Sequence, residues 1–226
     1  MLGLSIPLLN EEILVEFVIN NIQAALGDLP HTLALVNNGS TDYTGQLVDE
    51  LAQRPNILAI HLTDNAGYGG GILAGLDALC ALPAPPTVIG WCWGDGQIDP
   101  VVIPELYRRC LAGADLAKIR RTVREDGQRR QLLSATYASI MSGLGATTPD
   151  VNGCPKLFRA DAFDRLALSH TDWFLDAEAT LKAEDAGMRI ENVPAVMRPR
   201  AAGASKVNWR TVVEFIENIA RYKLTR

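Results

Sequence analysis

The chain has little of what would make a disulfide scaffold or a Cys/His metal centre. Its four cysteines, Cys80, Cys92, Cys110 and Cys154, show no C-x-x-C spacing, and its three histidines, His31, His61 and His170, lie far apart. A disulfide framework and a zinc site of that kind are excluded. Basic charge is also short: the formal net charge is -5, so no general footprint for nucleic acid exists and any contact with a polyanion must be local. No apolar run approaches the length that spans a bilayer, and no basic segment precedes the first strand-like stretch, which leads us to expect a soluble cytoplasmic protein. Linkers, repeats and low-complexity tracts are missing as well. With 226 residues and 48% hydrophobic content the chain can bury a full core, and we expect one domain over residues 1–226.

What is there is a repeated unit. Met1 to Leu9 is an apolar run closed by Asn10, followed by Ile13, Leu14, Phe17, Val18, Ile22 and Leu26 at helical spacing. Thr32 to Val36 reads as a second strand that breaks at Asn37-Asn38-Gly39-Ser40-Thr41-Asp42, where Ser40 or Thr41 can cap the next helix. Asn56 to Leu62 is a third strand, followed by a glycine-rich turn, Asn65 to Gly71, and a helix through Leu73, Leu76 and Leu79. Val88 to Trp93 is the fourth. Four strand–loop–helix units predict an α/β fold with a mostly parallel, Rossmann-like sheet and helices on both faces. Beyond Pro100 we read a helix from Ile103 to Leu111, a strand near Asp115 to Ile119, and a basic segment from Arg120 to Arg130. A helix around Leu132 to Met141, a strand entered near Arg159, a helix from Ala177 to Ala186, a strand from Met188 to Met197 and a closing helix from Trp209 to Tyr222 complete the chain.

The chemistry-bearing stretch is Val88 to Pro100, where an apolar strand ends in Gly94, Asp95, Gly96, Gln97 and Asp99. In open α/β sheets ligands collect outside the carboxyl ends of the strands, and a carboxylate among small residues leaves room for a metal-bound phosphate. The alternative is an ordinary polar turn. Three loops of this kind follow strands of the expected sheet and should open at one edge: Pro7 to Glu12, Asn37 to Asp42, and Gly94 to Gln97.

In order and spacing these loops resemble inverting family-2 glycosyltransferases of the GT-A fold, and more narrowly the polyprenyl-phosphate (dolichyl-phosphate) mannose and glucose synthases. The resemblance rests on P-x-x-N-E at Pro7, Asn10 and Glu11, and on D-D-G-S-x-D-x-T at Gly39, Ser40, Asp42 and Thr44. It continues with a glycine motif at Asn65, Gly67, Gly69 and Gly75, and D-x-D-G-Q-x-x-P at Asp95, Gly96, Gln97 and Pro100. An arginine-rich loop (Arg120, Arg121, Arg124, Arg129, Arg130, before Ser134), D-x-x-x-G-x-x-x-F-R around Asp150, Lys156 and Arg159, F-x-D-x-E at Phe174, Asp176 and Glu178, and G-x-S-K at Gly203, Ser205 and Lys206 extend it over nearly the whole chain. The sequence departs from the pattern at Asn37 and Asn38, where the family has paired aspartates, and at Trp93, which stands in place of the first metal-motif aspartate.

The resemblance implies a nucleotide-sugar-binding half over residues 1–100 and an acceptor half over 101–226. Pro7, Asn10, Glu11, Asn37, Asn38, Gly39, Asn65, Gly67, Gly71 and Gly94 would hold a GDP- or UDP-linked sugar. Asp95 and Gln97 would hold Mg²⁺ or Mn²⁺. Arg120, Arg124, Arg130, Ser134, Lys156, Ser205 and Lys206 would grip the phosphate of a polyprenyl-phosphate acceptor, because guanidinium forks and ammonium groups suit phosphate oxygens. Peripheral contact with the inner face of a membrane fits such an acceptor. If the acceptor is instead a soluble hydroxyl, a general base is needed, and Asp176, then Glu178, are the candidates. Two further alternatives stay open. The missing aspartate at Trp93 suits a non-catalytic nucleotide-binding protein, and Gly69 to Ala74 fits G-x-G-x-x-A of a nicotinamide enzyme, although in the third unit rather than the first.

Overall fold

The structure, a computed structural model, describes residues 1–124 and 147–199 together with Asn218 and Tyr222. The helices expected around Leu132 to Met141 and, apart from those two residues, Trp209 to Tyr222 lie outside the described residues, as do Arg130, Ser134, Ser205 and Lys206.

Seven strands form one sheet in the order β3-β2-β1-β4-β6-β5-β7. They are β1 Leu2–Leu8, β2 His31–Asn38, β3 Ile57–Leu62, β4 Val88–Trp91, β5 Leu116–Arg124, β6 Lys156–Arg159 and β7 Ile190–Met197. β1 to β4 run parallel, β6 pairs antiparallel with both β4 and β5, and β5 pairs parallel with β7. The expected mostly parallel α/β sheet is present, and a single sheet takes strands from both halves of the chain. β5 runs five residues further than Ile119, so Arg120, Arg121 and Arg124 belong to a strand and not to a basic loop. Pro194 lacks the N–H a ladder needs, which a strand tolerates only at a sheet edge, and β7 is that edge.

Side chains of β1 alternate between two helical layers. Leu2, Leu4, Ile6 and Leu8 face the layer of α1 (Val15–Leu26), α2 (Thr44–Leu51) and α4 (Val102–Leu111). The small residues Gly3 and Ser5 face α3 (Gly67–Cys80), which therefore lies close to the sheet, with the Ser5 hydroxyl donating to Ile72 O at 3.0 Å. α5 (Ala160–Phe163) and α6 (Leu175–Asp185) complete that second layer through Ala162, Leu175, Ala179 and Ala183. All four cysteines are free thiols, as their spacing indicates. Among the described residues no helix is long and apolar enough to cross a membrane.

β4 and β6 approach closely at Gly90, where a Cβ would lie 2.0 Å from Lys156 O. Backbone cannot yield there as a flexible side chain can, so Gly90→Ala should destabilise the protein by about 2 kcal/mol or more through overpacking, read as a lower urea midpoint.

Candidate functional site

The loops after β1, β2 and β4 meet at the carboxyl edge of the sheet. The first two are interlocked. Asn10, in a left-handed conformation with φ 49°, accepts from Thr41 N at 2.8 Å and donates its own N–H to Ser40 Oγ at 3.0 Å. Glu11 N donates to Thr44 Oγ1 at 2.8 Å, Tyr43 N donates to Glu12 Oε2 at 2.9 Å, and Glu12 N reaches Asp42 Oδ2 at 3.3 Å. Burial would raise the pKa of Asp42, but hydrogen bonds from Thr44 and from the Glu12 backbone outweigh it and hold the carboxyl below its usual range. Ser40 and Thr41 thus bind the neighbouring loop rather than cap α2, whose N-cap is Tyr43 with no side-chain bond.

The two asparagines after β2 have separate tasks. Asn38 is buried; it accepts from Ala66 N at 3.0 Å and donates to Gly67 O at 2.8 Å. An aspartate there could not donate, which is a physical reason for the amide. Asn37 is half-buried, accepting from Ser40 N at 3.1 Å and facing His61 Nδ1 at 3.2 Å. Asn65 accepts from Gly67 N at 2.9 Å. Gly39, with φ +69°, packs on the Asp64–Asn65 backbone, and Gly67, with φ +82°, on Thr171 O, where a Cβ would come to 2.5 Å and 2.3 Å respectively. Gly71 backs onto Asn38 and Pro7, and Gly94 onto Leu8 and Pro7. The structure therefore brings the expected donor residues to one edge, although Asn38, Gly39 and Gly67 meet neighbouring chain there.

Asp95 stands half-buried at the end of β4, its Oδ1 accepting from Gln97 N at 3.1 Å. Gln97 is buried, donates Nε2 to Arg198 O at 2.9 Å, and accepts from Arg198 N through its own carbonyl at 2.9 Å. Asp99 is paired with Arg198 at 3.1 Å. Beside Asp95, Trp93 donates Nε1 to Tyr68 OH at 2.7 Å, Tyr68 stacks on Trp173 at 4.4 Å, and the Arg121 guanidinium lies 5.7 Å over the Trp93 ring. Arg121 forks onto Asp150, with Nε at 2.9 Å and a second contact through Nη2. Burial would raise the pKa of Asp150, but the Arg121 hydrogen bonds and charge, helped by Lys118, hold it down to about 2. The Lys118 ammonium donates to Pro149 O and Asp150 O, both at 2.8 Å. Burial, then the nearby Lys156 charge, pushes Lys118 down to about 7.

Three expected site residues are not at the edge in a form that can meet a substrate. Asp176 is 4% exposed and saturated: Trp91 Nε1 donates to Oδ1 at 3.0 Å, Tyr68 OH donates to Oδ2 at 2.9 Å, and Lys156 Nζ lies 3.2 Å from Oδ1. Lys156, fully buried, also donates to Val151 O at 3.0 Å, so it clasps its own turn instead of an acceptor phosphate. Glu178 is buried and accepts from His170 N at 3.0 Å, from Ser169 N, and from Lys182 at 2.7 Å. Burial opposes its charge, yet those donors keep its pKa below the usual carboxylate range. Neither carboxylate is placed to accept a substrate proton. Arg120 is exposed on β5, and Arg124 ends that strand. The arginine turned toward Trp93 and Asp150 is Arg121, and alternation alone would not have singled it out, because Leu116 to Ile119 are buried on both faces of β5. Arg198 at the close of β7 carried no signal either.

Residues 4–167 match the family model described as Glycosyl transferase family 2. The chain is 29% identical over 230 residues to the polyprenol monophosphomannose synthase of Mycolicibacterium smegmatis, covering 96% of this chain and 84% of that protein. With the dolichol-phosphate mannosyltransferase of Pyrococcus furiosus the identity is 26%, covering 96% of this chain and 62% of the relative. Among solved structures, glucosyl-3-phosphoglycerate synthase from Mycobacterium tuberculosis, in complex with Mn²⁺, UDP-glucose and phosphoglyceric acid, superposes with a TM-score of 0.70 at 17% identity, over 99% of this chain and 79% of that one. TarS of S. aureus with UDP-GlcNAc gives 0.64 at 16% identity, over 97% and 65% of the two chains.

Two outcomes test this geometry. Asp150→Asn should cost about 2 kcal/mol at neutral pH, because a carboxylate with a depressed folded pKa contributes stability above its unfolded value. That contribution is lost as pH falls from 3.8 through about 2, so the urea midpoints of the two proteins should converge on acidification. Asp176→Ala leaves the buried Lys156 ammonium unpaired and should destabilise the fold by about 3–5 kcal/mol in thermal or urea melts; a variant as stable as wild type but inactive would restore Asp176 as a catalytic base.

Proposed function

Because the chain belongs to glycosyl transferase family 2 and has its GT-A fold, we propose that this glycosyltransferase moves a hexose from a nucleotide-sugar to a polyprenyl phosphate, with inversion at the anomeric carbon. The observation that carries the acceptor is the state of the carboxylates. A hydroxyl acceptor needs a general base, and Asp176 and Glu178 are both buried and fully engaged. A lipid phosphate arrives already anionic and needs none. What it needs is positive charge to hold two phosphate groups together, and Arg121 beside Trp93, with the exposed Arg120, supports that role. Relatives that cover most of the chain and act on polyprenol or undecaprenyl phosphate support the same acceptor, and it implies peripheral contact with a membrane surface.

The donor reading rests on the interlocked loops after β1 and β2, with Asn10, Glu11 and Asn37 toward the nucleotide. For the metal, the residues present fit an ion carried by the donor rather than one caged by protein. Trp93 offers no ligand and its N–H is engaged by Tyr68; among the described residues no group of three or more His, Cys, Asp or Glu side chains is disposed to hold an ion. One carboxylate suffices for Mg²⁺ or Mn²⁺ that keeps its waters and the substrate's phosphates. Asp95, with Gln97 behind it, would hold that ion, which neutralises charge on the departing diphosphate. The chain's own part is to orient: the tied loops fix the nucleotide, Gly94 lets the loop after β4 lie against Leu8, and the exposed Arg120, beside the Arg121–Asp150 pair, meets the incoming anion.

Asp95→Ala should lower turnover at least a hundredfold while the protein stays folded, its melting temperature falling by no more than the loss of the hydrogen bond from Gln97 N entails. Incubation with radiolabelled GDP-mannose or UDP-glucose, Mn²⁺ and undecaprenyl phosphate should move label into the organic phase. Label transferred only to a water-soluble acceptor would overturn the lipid reading, and full activity in Asp95→Ala would overturn the metal assignment.

A further inference from the structure

At the outer edge of the donor loops, three side chains form a chain that ends on the asparagine assigned to the nucleotide. Asp49 Oδ1 of α2 lies 2.9 Å from His61 Nε2 of β3, and His61 Nδ1 lies 3.2 Å from Asn37 Nδ2 of β2. The backbone N–H of Ser40 donates to Asn37 Oδ1 at 3.1 Å. A backbone N–H can only donate, so Oδ1 must face Ser40 and Nδ2 must face His61. An amide nitrogen can also only donate, so His61 Nδ1 must be unprotonated and its proton must sit on Nε2, toward Asp49. Gly45 closes the other side, since a Cβ there would lie 2.8 Å from Asn37 Nδ2.

We propose that His61 is a positioning residue for the nucleotide, acting through Asn37, and that Asp49 sets its tautomer. The inference rests on the donor reading above. The half-buried amide is thereby fixed with Oδ1 as acceptor on the Ser40 side and Nδ2 as donor on the His61 side. Locked in this sense, Asn37 reads the polarity of a base edge such as the N–H and C=O pair of uracil or guanine, and an edge of opposite polarity sets donor against donor. The aspartate of the family pattern has no orientation to fix; the neutral amide has, and the histidine supplies it. Asp49 of α2 is the charged group in contact with the ring, while β2 presents the neutral Asn37 and α2 also presents Gly45.

The experiment is calorimetric titration of UDP and of GDP, each with Mn²⁺, into wild type, His61→Leu and His61→Asn at pH 8. His61→Leu should weaken the preferred nucleotide about fivefold, the worth of one hydrogen bond. His61→Asn keeps an oxygen acceptor at the Nδ1 position, so it should bind within about twofold of wild type. Equal binding by wild type and His61→Leu would overturn the inference and leave the donor reading standing. Failure of wild type to bind either nucleotide would overturn the donor reading and the inference with it. Ring ¹⁵N shifts of His61 in the free protein give a nucleotide-independent answer: Nε2–H supports the lock, and Nδ1–H overturns it.

Discussion

The carboxylate of Asp176 is the point on which the site's framework hangs. It sits where β4, α3, β6 and α6 converge, and each of the first three gives it a donor: Trp91, Tyr68 and Lys156. A buried charge of this kind is tolerated only when opposite charge and hydrogen bonds surround it, and removing one partner exposes the rest to the full cost of desolvation. Through Tyr68 the network reaches Trp93 beside Asp95, and through Tyr68 stacked on Trp173 it reaches the turn before α6. Lys156 extends it to the turn at Val151, and Lys118 clasps the same turn one strand away. The place of the missing metal-motif aspartate is therefore filled by an aromatic group tied into the core.

Around this framework the edge loops are fixed mainly to one another. Short polar loops lose conformational entropy when they order, and the reciprocal bonds between Asn10 and Ser40–Thr41, and between Glu12 and Asp42–Tyr43, offset that loss before any ligand arrives. On the donor reading proposed above, a nucleotide would meet a surface already in place, which is how preorganisation raises affinity. On the far side of β4, Arg121 is aimed by Asp150, and Asp150 is itself held by Arg121 and by the buried Lys118 ammonium.

Much of this was legible in the order of residues. The alternation of apolar strands with helical stripes gave β1 to β4, because a buried parallel strand and an amphipathic helix leave different periods in sequence. The position of Asp95 at the carboxyl edge of the sheet, in the loop after β4, was legible because an apolar strand-like run ends just before it. Asp176 and Glu178, expected as bases for a hydroxyl acceptor, and Lys156, expected on an acceptor phosphate, are all buried and bonded within the fold: nothing local distinguishes a carboxylate that meets a substrate from one that meets Trp91 or Ser169, since its partners lie up to 108 residues away in the chain. Ser40 and Thr41 look like helix caps until Asn10 is known to lie opposite. Arg120 and Arg121 differ only in the face they take, which was hidden while their segment was read as a loop.

The sequence by itself determined the α/β class, the parallel first half and the three loops at its edge, because these follow from local periodicity and from the turn chemistry of Asn, Gly and Asp. Only the tertiary structure decided which polar groups are spent on the fold and which remain for a ligand. That choice depends on which elements the sheet order β3-β2-β1-β4-β6-β5-β7 sets side by side, and on burial, which makes an unpaired polar group costly and so assigns each one a partner. His61, Asn37 and Asp49 are joined by the sheet order, without deep burial: three unremarkable positions on three elements, made into one chain of hydrogen bonds by the pairing of β2 with β3 and the packing of α2 beside them.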